Sequence, residues 1–202
     1  GNILWMEDTL GGAAQMTPSG DYVAAVCFGT ITANDGYYLY NQTGDTEWYY
    51  DASTIYPRRA SVEISDDANS IIASGYKTFS FFNKTGALLW DYETLWETSC
   101  VEITADGQYI AGATANETWD EGYLYYWNRA GDLLWSWHNE ARINEITISE
   151  DGRYLAVSAY NGFFFFDLEE PTITGPDDFS YESGQSEHNI MWDVYDATPY
   201  WY

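Results

Sequence analysis

The chain is short of basic residues, of cysteine and of long apolar runs, and each shortage argues against a class of protein. Only 7 Lys and Arg stand against 32 Asp and Glu, which gives a formal net charge of -25. Because phosphate backbones bind to basic faces, the composition argues against a nucleic-acid partner. No run of about 18 apolar residues occurs, so the sequence predicts no membrane insertion by a helix.

The two cysteines, Cys27 and Cys100, have neither metal-binding nor redox spacing. Their apolar surroundings favour buried free thiols, and a disulfide between them is the less favoured alternative. The acidic surface is well solvated and self-repelling, which suits high salt, cation binding or an extracellular matrix as well as plain solubility. Aromatic residues make up 19% of the chain, and they favour strands, where flat rings pack well on a pleated surface.

One phrase recurs along the chain with a steady period. A glycine followed four residues later by tryptophan stands at positions 1, 44, 86 and 131, and the tryptophans are Trp5, Trp48, Trp90 and Trp135. A second phrase with the same rhythm reads "TPSGDYVAA", "SDDANSIIA", "TADGQYIAG" and "SEDGRYLAV". A period of about 40–50 residues built from short strands predicts a β-propeller.

Each repeat divides into four strands, a to d, and no segment has a convincing helical period. In the third repeat the strands are "CVEIT", "QYIAGAT", "YLYYWN" and "LLWSW". The fourth repeat ends after its c strand, "GFFFFDL", whereas a d strand, "NILWME", opens the chain. The sequence therefore predicts an all-β propeller of four blades over residues 1–168, with the last blade closed by the N-terminal strand. Two alternatives stay open: a fragment of a larger propeller, and a pair of chains that form one eight-bladed ring.

The Gly-x-x-x-Trp phrase resembles the tryptophan-docking motif of quinoprotein (PQQ-like) propellers. The Asp-Gly-x-Tyr phrase resembles WD40-like repeats of archaeal and bacterial surface proteins. The resemblance covers residues 1–168 and implies that Trp5, Trp48, Trp90 and Trp135 are structural residues packed against neighbouring blades. Dehydrogenases of that family bind pyrroloquinoline quinone and calcium through a vicinal cysteine pair, a stacking Trp and a catalytic Asp. This chain has no adjacent cysteine pair, so we expect no cofactor and no catalytic residue.

The scarce basic side chains gather in the connections between d and a strands, on the face where propellers commonly bind ligands. A candidate anion or carboxylate docking point there comprises Arg58, Arg59, Trp96, His138 and Arg142. Local charge balance with Glu140, Glu145 and Asp51 is the competing interpretation. Acidic b–c loops, with Asp35, Glu117, Asp120 and Glu121, offer oxygen ligands for calcium but lack the spacing of a known calcium motif, so solvated loops are favoured.

Three acceptor sequences for N-glycosylation occur, at Asn41, Asn83 and Asn116, all on predicted turns or loops. The alternative is that Asn41 and Asn83 simply form turns. The two histidines, His138 and His188, lie in unrelated contexts, and no nucleophile elbow, zinc spacing or phosphate loop is present.

Residues 169–202 form an acidic, aromatic C-terminal extension. Its first half reads as a linker, and its second half is an added strand or a strand that pairs with a neighbouring subunit, anchored by Trp192, Trp201 and Tyr202. An equally favoured alternative is that these aromatic residues fold back onto the wall of the propeller. From these features we expect a non-enzymatic extracellular or cell-surface protein with a structural or protein-interaction role, including self-assembly through the extension. The alternatives are a fragment of a quinoprotein-like dehydrogenase and a glycan-binding propeller with Trp96 and Trp119 exposed to sugar rings.

Overall fold

A computed structural model describes residues 2–6, 12–27, 35–52, 60–169, 172–174 and 193–195. Within these residues the chain is all-β, as predicted, and no helix is long and apolar enough to cross a membrane. The strands are β1 Ala14–Met16, β2 Tyr22–Cys27, β3 Gly36–Asn41, β4 Thr46–Asp51, β5 Val62–Ile64, β6 Ile71–Ser74, β7 Thr78–Phe82, β8 Leu88–Glu93, β9 Glu97–Ile103, β10 Tyr109–Ala115, β11 Gly122–Asn128, β12 Leu133–Asn139, β13 Ile143–Ile148, β14 Tyr154–Ala159, β15 Gly162–Asp167, β16 Thr172–Thr174 and β17 Asp193–Tyr195.

The strands pair antiparallel with their neighbours in sequence and form a series of small meander sheets. Three sheets have four strands, β1–β4, β5–β8 and β9–β12, and one has three, β13–β15. We call these four sheets blades 1 to 4. Strands β16 and β17 pair only with each other and form a separate two-stranded sheet. The fold is therefore propeller-like, with a repeat boundary at each d–a connection.

The blades stack face to face, and the core lies between them. One apolar cluster joins blades 1 and 2 around Leu39 and Phe82. A second joins blades 2 and 3 around Phe81 and Trp127, and a third joins blades 3 and 4 around Tyr126. Because side chains alternate across a strand, each c strand sends one set of residues to the preceding blade and the other set to the next.

A repeated tight turn joins the c and d strands. In blades 1 to 3 it begins at Asn41, Asn83 and Asn128, whose Oδ1 atoms accept a backbone N–H four residues later at 3.0–3.1 Å. The glycine three residues after each Asn has a positive φ, 88° at Gly44 and 89° at Gly131. Only glycine adopts this conformation without strain, so the turn explains why the phrase repeats.

The glycine turns of blades 2 and 3 each contact a tryptophan from the fourth strand of the preceding blade. An added Cβ at Gly86 would lie 2.7 Å from Trp48, and one at Gly131 would lie 2.8 Å from Trp90. The indole of Trp90 donates a hydrogen bond to the carbonyl of Arg129 at 3.1 Å, and Trp48 makes the equivalent bond one blade earlier. The tryptophans therefore pack against the following blade.

Trp5 and Trp135 extend this series to both ends of the repeat. Trp5 packs on blade 1, 2.7 Å from the added Cβ position at Gly44 and 5.4 Å from the ring of Tyr40. Trp135 packs on blade 4, with its ring 5.0 Å from that of Phe166. One of the four tryptophans therefore packs against each blade: Trp5 on blade 1, Trp48 on blade 2, Trp90 on blade 3 and Trp135 on blade 4.

Closure of the ring by the N-terminal strand is not observed among the described residues. Residues 2–6 form no strand there, and blade 4 has three strands. The a strands pack in series, β1 against β5, β5 against β9 and β9 against β13, without comparable packing between β13 and β1. Trp5 packs on blade 1, but the segment around it forms no strand and has no described pairing partner, because strand pairing depends on long-range geometry and not on the local pattern.

A strand does follow blade 4 at the spacing of a d strand. Asp167 stands at the position of the turn asparagines and accepts the backbone N–H of Glu169 at 3.1 Å. Strand β16 begins five residues after Asp167, as β12 begins five residues after Asn128, yet it pairs with β17 and not with β15. The predicted division at residue 168 stays a prediction.

Candidate functional site

Aromatic and basic side chains gather at the loop end of blade 3. Trp96, in the connection from β8 to β9, lies 4.9 Å from the ring of Tyr123 and 6.2 Å from that of His138. The exposed Nε2 of His138 is 3.6 Å from a carboxylate oxygen of Glu121. The structure thus brings together Trp96 and His138, which the sequence placed on one face, and adds Tyr123 between them.

Arg142 lies in a second group on the connections next to blade 4. Its guanidinium stands 4.9 Å above the ring of Trp119 and 5.6 Å from that of Tyr160, both at distances of cation–π contact. Trp119 has a positive φ of 63°, a conformation that costs a non-glycine residue about 1–2 kcal/mol. The loop therefore holds this indole under the cation at the expense of backbone strain.

The Arg142 guanidinium is not neutralised by a carboxylate within the described part of the chain. It forms no ion pair with any described residue, and its buried Nε has no hydrogen-bond partner among them. No ion pair joins Arg142 to Glu140, Glu145 or Asp51 among the described residues, whereas the ring of His138 lies 3.6 Å from the carboxylate of Glu121, and local charge balance stays the competing interpretation. The contacts that the structure shows for this guanidinium are therefore the rings of Trp119 and Tyr160, and its role in binding an anion remains a prediction.

Several predicted binding residues lie outside the described residues: Arg58, Arg59, Trp192, Trp201 and Tyr202. Their roles remain predictions. The loop end is also braced by an amide pair that the sequence did not single out. Buried Asn139 donates to the carbonyl of Ala141 at 2.8 Å and to the side chain of Asn161 at 3.0 Å, which ties the d–a connection to the b–c turn of blade 4.

An open groove of about 460 Å³ lies beside Trp96. Its walls include Leu95, Glu97, Asn116 and Lys77. The Nδ2 of Asn116 donates to Asp120 at 2.7 Å, so this acceptor for glycosylation also orders its own loop, as Asn41 and Asn83 do in theirs. No modification is tested by these contacts, and glycosylation remains a prediction.

The acidic loops do not assemble a metal centre within the described residues, where no group of three or more His, Cys, Asp or Glu side chains is placed to hold an ion. The carboxylate of Asp120 is instead engaged by Thr118 and Asn116, and these hydrogen bonds lower its pKa. The calcium partner considered from the sequence is thus without a built site in this part of the molecule.

Blade 4 carries an uncovered apolar face, which the sequence analysis did not single out. Cross-strand pairs in β13, β14 and β15 place the following side chains on one face, which we call the open face: Glu145, Thr147, Ala156, Ser158, Phe163 and Phe165. They line an open concave pocket with a volume of about 440 Å³. Phe163 is 89% exposed and Phe165 is 70% exposed. The run "GFFFFD" was the available signal, because an aromatic residue at every position implies a strand buried on both faces.

A partly buried carboxyl group lies between blades 3 and 4. Glu102 sits on β9 between two buried residues, Val101 and Ile103. Burial raises its pKa to about 7, and the nearby carboxylates of Glu63 and Glu145 add to the effect. The pKa of Glu63 is raised too, chiefly by burial, although a hydrogen bond from Gln15 at 2.9 Å opposes this. The repeated phrase "VEI" was the sequence signal for these groups.

Comparison with known proteins supports the fold and leaves the activity open. No family model matches the chain, and no curated protein does. Among solved structures, the chain is similar to hydrazine synthase of Kuenenia stuttgartiensis, a protein that contains a β-propeller, with a TM-score of 0.56 and 15% identity over 73% of this chain. The chain spans 43% of that protein's length. In all, 619 chains of solved structures match, so the architecture is widely shared and says nothing specific about chemistry.

Proposed function

We propose that the protein is a non-enzymatic extracellular or cell-surface propeller that serves as a structural or protein-interaction module. The observation that carries the proposal is the open face of blade 4. The faces between consecutive described blades are buried, whereas this face leaves Phe163 and Phe165 exposed to water. Contiguous exposed aromatic surface of this kind marks interaction sites in soluble proteins.

The energetics favour a partner on this face. Burial of a phenylalanine side chain contributes roughly 1.5–3 kcal/mol, so two rings represent a substantial driving force for association. The acidic, self-repelling surface and the acceptors at Asn41, Asn83 and Asn116 support a location outside the cell. The C-terminal anchors Trp192, Trp201 and Tyr202 are proposed as a further contact.

The same surfaces also fit a ring closed within one chain, in which residues 2–6 pair with β15 as the fourth strand of blade 4. In that arrangement the ring would bury the open face internally, and the interaction role would pass to the loop end with Trp96 and His138 and to the extension. Both arrangements use the protein as a scaffold.

The proposal is tested on intact cells of the source organism. A membrane-impermeant amine or carboxyl label should react with the protein, and native electrophoresis should place it in an assembly larger than 23.0 kDa. Glycosidase treatment should lower its mass if the asparagines are modified. Absence of labelling together with migration at the mass of one free chain would contradict the proposal.

Glycan binding is the second candidate, because the groove beside Trp96 combines an indole with Lys77, Glu97 and Asn116. The apolar face of a sugar ring stacks on an indole, and its hydroxyl groups form hydrogen bonds with charged and amide side chains. Trp119 is less suited, since Arg142 covers its ring. Binding to a carbohydrate array that is lost in Trp96→Ala would favour this function, and no binding to any sugar would exclude it.

The dehydrogenase alternative has no comparable support. Cys27 and Cys100 lie on strands of different blades and are free thiols, so they do not provide the vicinal pair that quinoprotein enzymes use. The likeness to hydrazine synthase concerns the fold alone, and no activity is carried over from it.

A further inference from the structure

We propose that the open face of blade 4 binds blade 1 of a second copy of this chain, so that two copies close one eight-bladed ring. The N-terminal residues 2–6 of each copy would supply the missing fourth strand of blade 4 in the other. This inference rests on the proposed interaction role and names its partner.

The first argument is the repeat of burial along the c strands. Two residues before each turn residue stand Leu39, Phe81 and Tyr126, which are 0%, 0% and 4% exposed because the next blade covers them. The fourth member of this set is Phe165, at 70%. The face of blade 4 is thus of the type that a following blade covers, and a blade is the partner that fits it.

The second argument is the position of residues 2–6. A docked tryptophan in this fold belongs to the fourth strand of the preceding blade, as Trp48 of blade 1 docks on blade 2. Trp5 docks on blade 1 in the same way, so its segment has the place of a fourth strand in a blade before blade 1. Ile3 and Leu4 are more than 80% exposed there, so their side chains are available for contact with such a blade.

The third argument is that the two ends are complementary. Among the described residues blade 4 has three strands, and residues 2–6 are a docked segment without a described blade. Within one chain β13 and β1 do not pack on each other as the a strands of consecutive blades do, so the described blades leave both ends open. In the register of the other blades, where Trp90 lies opposite Phe81, Trp5 would lie opposite Phe165 of the second copy. Because this contact joins different surfaces, it is heterologous, and rotation must close it into a ring.

Size and charge decide the conditions for association. Burial of the two phenylalanine side chains removes roughly 300–500 Å² of surface from water on one partner. The eight-bladed propeller would contain two such contacts, each with two sides, so the total area reaches the range of stable interfaces. Each copy carries a formal charge of -25, and Glu145 lies on the open face itself. Repulsion therefore opposes the dimer at low salt, and screening at molar salt favours it.

The test is sedimentation equilibrium of the full chain in low and in molar salt. We expect a species of twice 23.0 kDa in high salt. Phe165→Glu should raise the dissociation constant of the dimer by roughly 30-fold or more, the loss typical of an aromatic anchor. It should not unfold the protein, because this side chain is already exposed to water. Leu134→Glu, which adds the same charge at an exposed position of β12, is the matched control and should leave the dimer intact.

A mixing experiment separates a heterologous contact from a symmetric one. Leu4→Pro removes a backbone N–H that the proposed strand pairing needs and should also abolish the dimer. A mixture of Phe165→Glu with Leu4→Pro retains one intact pair of surfaces, so an open heterodimer should form. The double variant Leu4→Pro with Phe165→Glu has both surfaces altered, so on its own it should stay monomeric at every concentration.

A wild-type chain that stays monomeric at roughly 100 μM in molar salt would overturn the inference, as would a dimer insensitive to Phe165→Glu or growth into longer polymers. A monomer with Phe165 shielded by residues 2–6 or by β16 of its own chain would point to intramolecular closure. These results leave the proposed function standing if native material still assembles with a different protein.

Discussion

Substitution of Glu102 by glutamine should stabilise the protein in alkaline solution and leave it nearly unchanged in acid. Folding raises the pKa of this carboxyl from 4.5 to about 7, chiefly by burial. The native state therefore holds a proton that the unfolded chain releases, and stability falls as pH rises from about 4.5 through 7. The sign is opposite to that of a salt-bridged carboxylate.

The magnitude follows from the change in pKa. One pKa unit corresponds to about 1.4 kcal/mol, which gives an upper limit of roughly 3 kcal/mol above pH 7. Solvent reaches part of the Glu102 side chain, so we expect about 1–2 kcal/mol for Glu102→Gln at about pH 8.5. At about pH 5 the carboxyl is protonated in the fold, although most unfolded chains have already released this proton, so the difference should shrink to about a quarter of its alkaline value.

Urea denaturation followed by tryptophan fluorescence measures this directly, at both pH values and with equal slopes required for the comparison. Glu117→Gln, at an exposed loop position, is the control and should not alter the pH dependence. If Glu102→Gln and the control change stability equally at both pH values, the reasoning about this carboxyl is refuted.

Two further predictions concern the turn and the thiols. Gly131→Ala should cost about 2–4 kcal/mol of stability, because it combines a positive φ with a Cβ 2.8 Å from Trp90, whereas Gly20→Ala, with a positive φ but open space, should cost about 1 kcal/mol in urea unfolding; equal losses would refute the docking role. Cys27 is buried and burial raises the pKa of Cys100 to about 12, so neither should react with Ellman's reagent near pH 8 until the chain unfolds, and rapid labelling of the native protein would contradict this.

Local pattern predicted the strands of this protein well. In blade 3 the predicted c strand, "YLYYWN", matches β11, Gly122–Asn128, to within one residue, because alternating aromatic residues followed by Asn-x-x-Gly mark both the strand and its turn. The tryptophans Trp5, Trp48, Trp90 and Trp135 all pack against a blade, and their structural role stays the prediction made from the resemblance. The sequence did not show that Trp5, Trp48 and Trp90 rest on the glycine turns of blades 1, 2 and 3, since each contact joins two separate repeats.

The pairing of chain ends could not be read from the sequence. The segment around Trp5 has the composition of a d strand, but the strand with which it pairs depends on the number of blades in the closed propeller. The strained backbone of Trp119 beneath Arg142 was equally hidden, because a positive φ at tryptophan has no sequence signal. The exposure of Phe163 and Phe165 was hidden as well, because burial of a strand face depends on what packs against it and not on the strand itself.

Hydrogen exchange of the backbone amides in β15 tests most directly whether blade 4 is completed by another copy. In dilute protein at low salt these amides should exchange quickly along the free edge, and in concentrated protein at molar salt they should become as protected as those of β11. Residues 2–6 should gain protection in parallel. Protection of β15 that does not change with protein concentration, or no protection under either condition, would contradict the account.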